Sequence, residues 1–470
     1  MTPRIEHVAK LFGSLPGGVA CEDISERYTR DWSGDHSGSA LALLRPRSTA
    51  EVQEIMRIAT RERIAIVPQG GHTGLVGGAT PSSGRDEVIL SLERLNAVRE
   101  VSPEDFYMVA EAGCILSNLQ AAAADAGMFL PIALGAQESC QIGGNISTNA
   151  GGVNVLRYGM TGRMVLGLEA VMPDGSLISR LKGLRKDNTG YRLSQLLVGA
   201  EGTLGVVTAV SLELFPSPTQ IETAFLALPS YDTVLKFYGI IRRKLGEFVS
   251  ALEVMDRDSV TLGCPPNGGA SAPLALNSPV FVLLEAATSA DINLSDVMLG
   301  ALQSCMENGL IDDAVIATNR TQRRQFWAVR EQLVEEQVRR GRHLRTDVSV
   351  AISRIPAVVA EVRAQFARHQ PRAQVLVYGH FGDGNLHINV LPPAEIAQGP
   401  DIGAWLHDCE ALIFDTIDRH AGSISAEHGI GIKKRPAFLS RATADEVDIM
   451  RRIKAAIDPQ NIMSPGRIFT

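Results

Sequence analysis

The strongest constraint in this sequence is a glycine-rich loop that opens directly off a strand. Arg63-Ile-Ala-Ile-Val-Pro68 reads as β, and it feeds Pro68-Gln-Gly-Gly-His-Thr-Gly-Leu-Val-Gly-Gly78, which has five glycines in its last ten positions. Glycine lets backbone N–H groups approach a pyrophosphate closely and take positive φ, forming an anion nest. No Gly-Lys-Ser/Thr follows, so the loop is not a P-loop, and the nicotinamide-type GxGxxG pattern occurs nowhere in the chain. A second cluster, Ile142-Gly-Gly-Asn-Ile-Ser-Thr-Asn-Ala-Gly-Gly152, adds short polar side chains, and a third, Gly199-Ala-Glu-Gly-Thr-Leu-Gly205, precedes a long β-rich run. Any one of these alone reads as a tight turn. Three in one half of the chain, without a Walker lysine, favour an extended cofactor.

Composition bounds the rest. A length of 470 residues suggests two or three domains. The 45% hydrophobic and 21% charged content excludes disordered and coiled-coil classes. The formal charge of −7 is diffuse, which argues against a nucleic-acid binder. Six scattered cysteines, among them Cys21, show no CxxC and read as reduced thiols in a cytoplasmic protein. Residues Met1 to Phe12 lack the apolar core of a secretory signal. No apolar run approaches the roughly 20 residues that span a bilayer, so a soluble protein is expected.

The first half reads as short strands with helices between them, including Ile115 to Ala126 as a helix stopped by Gly127. Pro216-Ser-Pro218 breaks that pattern and marks a boundary. Beyond it the rhythm becomes strand, long helix, strand, the signature of an α+β layer with helices on an antiparallel sheet. The expected division is 1–218, 219–424 and a terminal segment 425–470.

A second constellation lies in the later part. Tyr378-Gly-His380-Phe-Gly-Asp-Gly-Asn-Leu-His387-Ile-Asn389 sets two histidines across a Gly-Asp-Gly turn, with His387 and Asn389 on one face by period-two alternation. Ser425-Ala-Glu427-His428-Gly-Ile-Gly431 follows about forty residues later. Two imidazoles and a carboxylate form an open zinc-type set that keeps a position for substrate. Spacing alone leaves surface or capping roles equally open. Arg330 and the segment Arg342-His-Leu-Arg345-Thr-Asp347 offer planar forks suited to carboxylates, whereas Arg339, Arg340 and Arg342 read as a solvated helix face.

The run from Val67 to Gly78, the Ile142–Gly152 segment, Lys186-Asp-Asn-Thr-Gly-Tyr191 and Glu201-Gly-Thr-Leu-Gly205 resemble the FAD-binding half of the vanillyl-alcohol-oxidase/PCMH superfamily. Within it the likeness is to the D-2-hydroxyacid dehydrogenases, D-2-hydroxyglutarate dehydrogenases above all, and runs from about Leu44 to the C-terminus. The resemblance implies a PCMH-type FAD-binding domain, an α+β cap domain and a C-terminal segment that returns to the FAD domain. It places Pro68, Gly70, Gly71, His72, Thr73, Gly74, Gly143, Asn145, Thr148, Gly151, Glu201 and Val207 at the flavin. It makes His380, His387 and Glu427 ligands of a divalent metal, most simply zinc. His428 becomes the base that takes the hydroxyl proton, and also a substrate contact with Arg330, Val334, Arg345 and Asn389.

Four departures bear on what is oxidised and how. His72 stands where these dehydrogenases usually carry Asn and where some oxidases carry a histidine bonded covalently to flavin; a hydrogen-bonding loop histidine is the simpler expectation. Val334 stands where the hydroxyglutarate enzymes have Thr, and Arg345 where they have Lys. Near the end, Asn461-Ile-Met-Ser-Pro-Gly-Arg467 carries Ser464 and Arg467 in place of the family's Asn-Pro-Gly-Lys pattern. The expected activity is oxidation of a D-2-hydroxyacid, D-2-hydroxyglutarate or D-malate first. Electrons would pass to an electron-transfer flavoprotein, a quinone or a cytochrome, from a protein that works as a homodimer. The alternatives are a D-lactate- or glycolate-type dehydrogenase, a flavin oxidase, or a subunit of a larger complex.

Overall fold

The computed structural model describes residues 3–13, 18–20, 24–266 and 268–469. Cys21 lies outside these, and the other five cysteines are unpaired thiols. The chain divides into two compact units, one of Met1–Gly151, Gly159–Ser217 and Glu427–Thr470, the other of Gly152–Tyr158 and Pro218–Ala426. A single cut at residue 218 therefore omits one excursion. The short helix Val155–Tyr158 sits with the second unit, where Arg157 donates to the Ala287 carbonyl.

In the first unit, a four-stranded sheet runs Gly18–Ala20, Ala42–Leu44, Glu87–Ser91, Ala65–Gln69, with the last three parallel. The parallel crossover is the helix Thr49–Glu62. Ser48 caps it by accepting from the Glu51 N–H, and the left-handed Arg63 ends it two residues before the strand Ala65–Gln69 begins. Strand Glu87–Ser91 is buried along its whole length, as an interior parallel strand should be. A second, antiparallel sheet of five strands has Val206–Glu213 at its centre. The C-terminal segment completes the first sheet: Ile66 donates to the Ile462 carbonyl and Ser464 donates back to the Ile66 carbonyl, both at 2.8 Å.

The second unit is a seven-stranded sheet in the order Asp313–Ile316, Gln220–Leu228, Val280–Thr288, Val249–Asp256, Gln374–His380, Asn385–Leu391, Val348–Ser349. Every pairing in it is antiparallel. Helix Arg320–Arg339 begins at Asn319, whose side chain accepts from Gln322, and buries Phe326, Val329, Arg330, Leu333 and Gln337. That stripe has helical spacing, so Arg330 and Gln337 are carried into the core by their place on it. The core they enter includes Phe225, Met255, Phe281, Leu376 and Tyr378. Among the described residues no helix is long and apolar enough to cross a membrane.

Candidate active site

In the first unit the three glycine segments, distant in sequence, converge. A Cβ on Gly71 would come within 2.1 Å of the Ser139 carbonyl oxygen, and one on Gly143 within 2.7 Å of the Ala112 Cβ. These glycines are required by close packing. A Cβ on Gly70 would lie 3.5 Å from the Gly144 amide nitrogen and one on Gly202 would lie 3.4 Å from Pro68, which sets all three segments side by side. Gly74 and Gly144 differ: a Cβ there meets nothing within 4 Å, so no protein atom demands a glycine. Backbone left bare beside a converging loop suits a ligand that must come close to the main chain.

The polar residues around these loops are mostly fixed from within. Thr148 bonds to the Gly144 carbonyl, and Asn145 contacts the Cys140 sulfur. Val207 is buried in the central strand opposite Ala170. Pro68 lies in the parallel ladder opposite Leu90, while Thr73 is half-buried in the loop. His72, at φ 56°, has both ring nitrogens engaged: Nδ1 lies 2.8 Å from the Arg27 carbonyl oxygen and Nε2 2.9 Å from Thr80 Oγ1. A neutral ring with Nδ1–H donating and Nε2 accepting satisfies both. Burial also favours that neutral form and pushes the His72 pKa down.

Glu201, expected at the flavin, is engaged by main chain of its own unit. Its carboxylate accepts from the backbone N–H groups of Ile430 and Gly431, at 2.8 and 2.7 Å. It thereby ties down the loop that carries Glu427 and His428. Burial raises its pKa, with those two hydrogen bonds pulling the other way. Gly151, also expected at the flavin, lies against Glu427: a Cβ there would sit 2.3 Å from Oε1. Any larger side chain at 151 would displace that carboxylate.

In the second unit, His380 ends one strand of a hairpin and His387 lies near the start of the other, with Tyr378 directly across from His387. The turn depends on Gly384, at φ +85°, where a Cβ would also meet the Val350 carbonyl oxygen at 2.3 Å. The two imidazoles stand edge to face with centroids 5.6 Å apart. One donor atom from each of His380, His387 and Glu427 falls within 4.8 Å of the others. Two imidazole nitrogens and a carboxylate oxygen so gathered suit a divalent cation such as zinc.

A residue that sequence reasoning missed organises this site. Glu253, in strand Val249–Asp256, is wholly buried and pairs across the sheet with His380. Oε1 accepts from His380 Nδ1 at 2.5 Å and Oε2 from Arg330 Nε at 3.1 Å. Burial alone would raise its pKa, but its interactions with His380 and Arg330 outweigh that and hold the carboxyl at about 2. Arg330 also lies over the Tyr378 ring, 4.5 Å from its centroid, a cation–π contact. Its Nε is thus committed, and its two Nη groups make no hydrogen bond to any described residue. The signal in the sequence is faint: an acid flanked by apolar residues in a strand, and an arginine on the apolar stripe of a helix.

Asn389, expected to touch substrate, has its amide engaged on every side. Oδ1 accepts from the Thr346 N–H at 3.1 Å, while Nδ2 reaches Gln337 Oε1 at 2.7 Å and the Tyr378 hydroxyl at 2.8 Å. Arg345 donates through Nε to His343 Nε2 at 3.0 Å, and His343 Nδ1 bonds to the Gly341 carbonyl. Val334 is 39% exposed on helix Arg320–Arg339, one turn beyond Arg330. His428 is half-buried.

Residues 217–468 match the model for FAD linked oxidases, C-terminal domain, and residues 40–179 match an FAD binding domain. The chain belongs to the FAD-linked oxidase family. It is 39% identical over 466 residues to the mitochondrial D-2-hydroxyglutarate dehydrogenase of Bos taurus, covering 99% of this chain and 83% of the bovine one. It is likewise 39% identical to a D-2-hydroxyglutarate dehydrogenase of Xanthomonas citri pv. viticola, over 99% of this chain and 97% of that one. Its fold is PCMH-type. Solved structures of an alkyldihydroxyacetonephosphate synthase and of p-cresol methylhydroxylase each align over 99% of the chain with TM-score 0.76. They cover 85% and 96% of those chains, at 17% and 14% identity. As a member of this family the protein is an FAD-dependent oxidoreductase.

The cytoplasmic assignment is corrected by the same relatives. Those from Bos taurus, Arabidopsis thaliana and Rattus norvegicus are named as mitochondrial proteins, whereas the bacterial ones are not. Scattered thiols and the character of residues 1–12 therefore do not assign a compartment within this family.

Proposed function

We propose that this protein oxidises a D-2-hydroxyacid, D-2-hydroxyglutarate or D-malate before others, to the 2-oxoacid. The observation that carries this reading is the gathering of His380, His387 and Glu427 donor atoms within 4.8 Å, together with an arginine, Arg330, on the same buried carboxylate as His380. When bound, FAD supplies a hydride acceptor at N5, and a divalent cation, zinc in this proposal, supplies Lewis acidity at the substrate hydroxyl.

The chain's own residues do the rest. His380, His387 and Glu427 hold the cation. Arg330 and Arg345 meet carboxylate charge, as guanidinium forks do better than any neutral donor. His428 takes the hydroxyl proton, a role that suits an imidazole because its ordinary pKa lies near neutrality. The loop holding His428 is fixed by Glu201, so the base has little freedom to wander. Gly70, Gly71, Thr73, Gly74, Gly143 and Gly144 present main chain to the flavin's pyrophosphate and ribityl groups. His72, with both nitrogens in hydrogen bonds, supports a non-covalent flavin and a dehydrogenase that hands electrons to a protein or quinone acceptor. The working form is proposed to be a homodimer.

The test is a panel of D- and L-2-hydroxyacids with a dye acceptor, repeated with oxygen alone. D-2-hydroxyglutarate or D-malate should give the highest kcat/KM, and oxygen should support little turnover. Preference for L-acids, or full activity with oxygen alone, would contradict the proposal.

A further inference from the structure

Glu253 lies outside every motif that marks the site, yet it is the residue through which two parts of the site are joined. It is fully buried, its Oε1 holds His380 and its Oε2 holds Arg330. A buried carboxylate is stable only when its oxygens are met by donors, and here each oxygen has one. The bond to His380 has a chemical consequence. An imidazole that donates from Nδ1 leaves the Nε2 lone pair for a metal, so the carboxylate selects the ligating tautomer and fixes the ring's orientation. The same carboxylate fixes Arg330 through Nε, which leaves both Nη groups for a substrate carboxylate. The guanidinium is further aligned by the Tyr378 ring, whose centroid lies 5.1 Å from that of His387.

We propose that Glu253 is a positioning residue that couples cation binding to substrate-carboxylate binding. It does so by holding His380 in its Nδ1–H form while also orienting Arg330. The proposal rests on the cation reading of His380, His387 and Glu427. Two acceptor oxygens are needed at once, and this makes glutamine a discriminating replacement. Gln has nearly the same shape but one acceptor. If its oxygen faces His380, its NH2 group confronts the Arg330 Nε–H. If its oxygen faces Arg330, the NH2 forces His380 to accept at Nδ1 and carry its proton on Nε2, where a metal cannot bind.

The experiment is equilibrium dialysis of the purified FAD-loaded protein against Zn2+ at fixed free concentrations, with substrate affinity read separately by flavin-absorbance titration with the 2-oxoacid product. Wild type and the E253Q, E253D and H380A variants are compared. Wild type should take up one Zn2+ per chain, and H380A should lose it. E253Q should bind Zn2+ roughly 10- to 100-fold more weakly, the usual effect of removing a ligand's supporting carboxylate, and should weaken product binding as well. E253D keeps both oxygens on a shorter stem and should fall between E253Q and wild type. This variant decides the matter if E253Q does not fold. Zn2+ affinity unchanged in E253Q, or in E253D where E253Q cannot be made, overturns the coupling while leaving the cation reading intact. Wild type that takes up no Zn2+, or H380A that binds it as wild type does, overturns the cation reading and the coupling with it.

Discussion

Arg467 lays its guanidinium along the carboxylate of Glu87, with Nη1 2.6 Å from Oε1 and Nη2 3.1 Å from Oε2, and both side chains are wholly buried. Glu87 opens the central strand of the parallel sheet and Arg467 lies in the C-terminal segment, so one bidentate pair ties that segment to the sheet. Arg467 also donates to the Thr80 and Pro465 carbonyls. Removing one partner strands the other charge in a dry interior. R467A and E87A should each cost about 3–5 kcal/mol in denaturant unfolding. The double replacement R467M/E87M should recover much of that loss, because neither charge is then left alone. Single variants within about 1 kcal/mol of wild type would show that water reaches this pair.

His72 gives a prediction in pH. Its folded pKa is lowered by burial, so the fold prefers the neutral ring. A base with a depressed folded pKa contributes stability that is present above its unfolded pKa and is lost as pH falls through the folded pKa. Melting temperature measured from pH 8 down to pH 5 should fall for wild type, and H72N should show a shallower decline over the same range. The flavin colour should leave with the supernatant on acid precipitation. Colour retained in the pellet would mean that one of the two ring nitrogens is bonded to flavin instead.

How far the sequence reveals this site can be followed residue by residue. The histidines His380 and His387 are legible because a Gly-Asp-Gly turn leaves little choice but a hairpin, and a hairpin sets its two strands side by side. The glycine segments are legible because glycine has few reasons to cluster. Helix Tyr231–Leu245 lies where Ser230 and Gly246 bracket an amphipathic run. Glu253 is another matter. Its strand, Val-Ser-Ala-Leu-Glu-Val-Met-Asp, has no alternation to announce it, and its partner is 127 residues away. Only the pairing of two strands brings Glu253 to His380. Asn389 illustrates the converse: its type and position suggest a ligand contact, yet Thr346, Gln337 and Tyr378 engage its amide in the folded chain. The excursion Gly152–Tyr158 was hidden for the same reason, since a seven-residue stretch carries no mark of the unit it joins.

On the proposed reading, substrate choice turns on Arg345 and Val334. A dicarboxylate brings a second charge, and a charge-assisted hydrogen bond outweighs the neutral one that Val334 lacks. R345A should therefore lower kcat/KM for D-2-hydroxyglutarate by roughly 10- to 150-fold, the kinetic equivalent of about 1.5–3 kcal/mol. D-lactate oxidation should change by less than about threefold on the same scale. V334T should raise the preference for the dicarboxylate. If wild type prefers D-lactate or a long apolar 2-hydroxyacid, Val334 decides the pocket.

The base is tested by H428N, which should cut turnover by roughly 100- to 10,000-fold while leaving the flavin spectrum unchanged. A decrease of less than about tenfold would assign proton removal to another group. E201Q, which weakens the hold on Ile430 and Gly431, should lower turnover more modestly and leave FAD content intact.

The cation's role is tested by turnover of D-2-hydroxyglutarate with a dye acceptor, before and after exhaustive dialysis against a chelator and again after adding Zn2+. Chelation should abolish turnover while the flavin stays bound, Zn2+ should restore it in wild type, and H380A and H387A should be inactive and not restored. Full activity in chelator-treated protein, or in either histidine variant, would contradict that role.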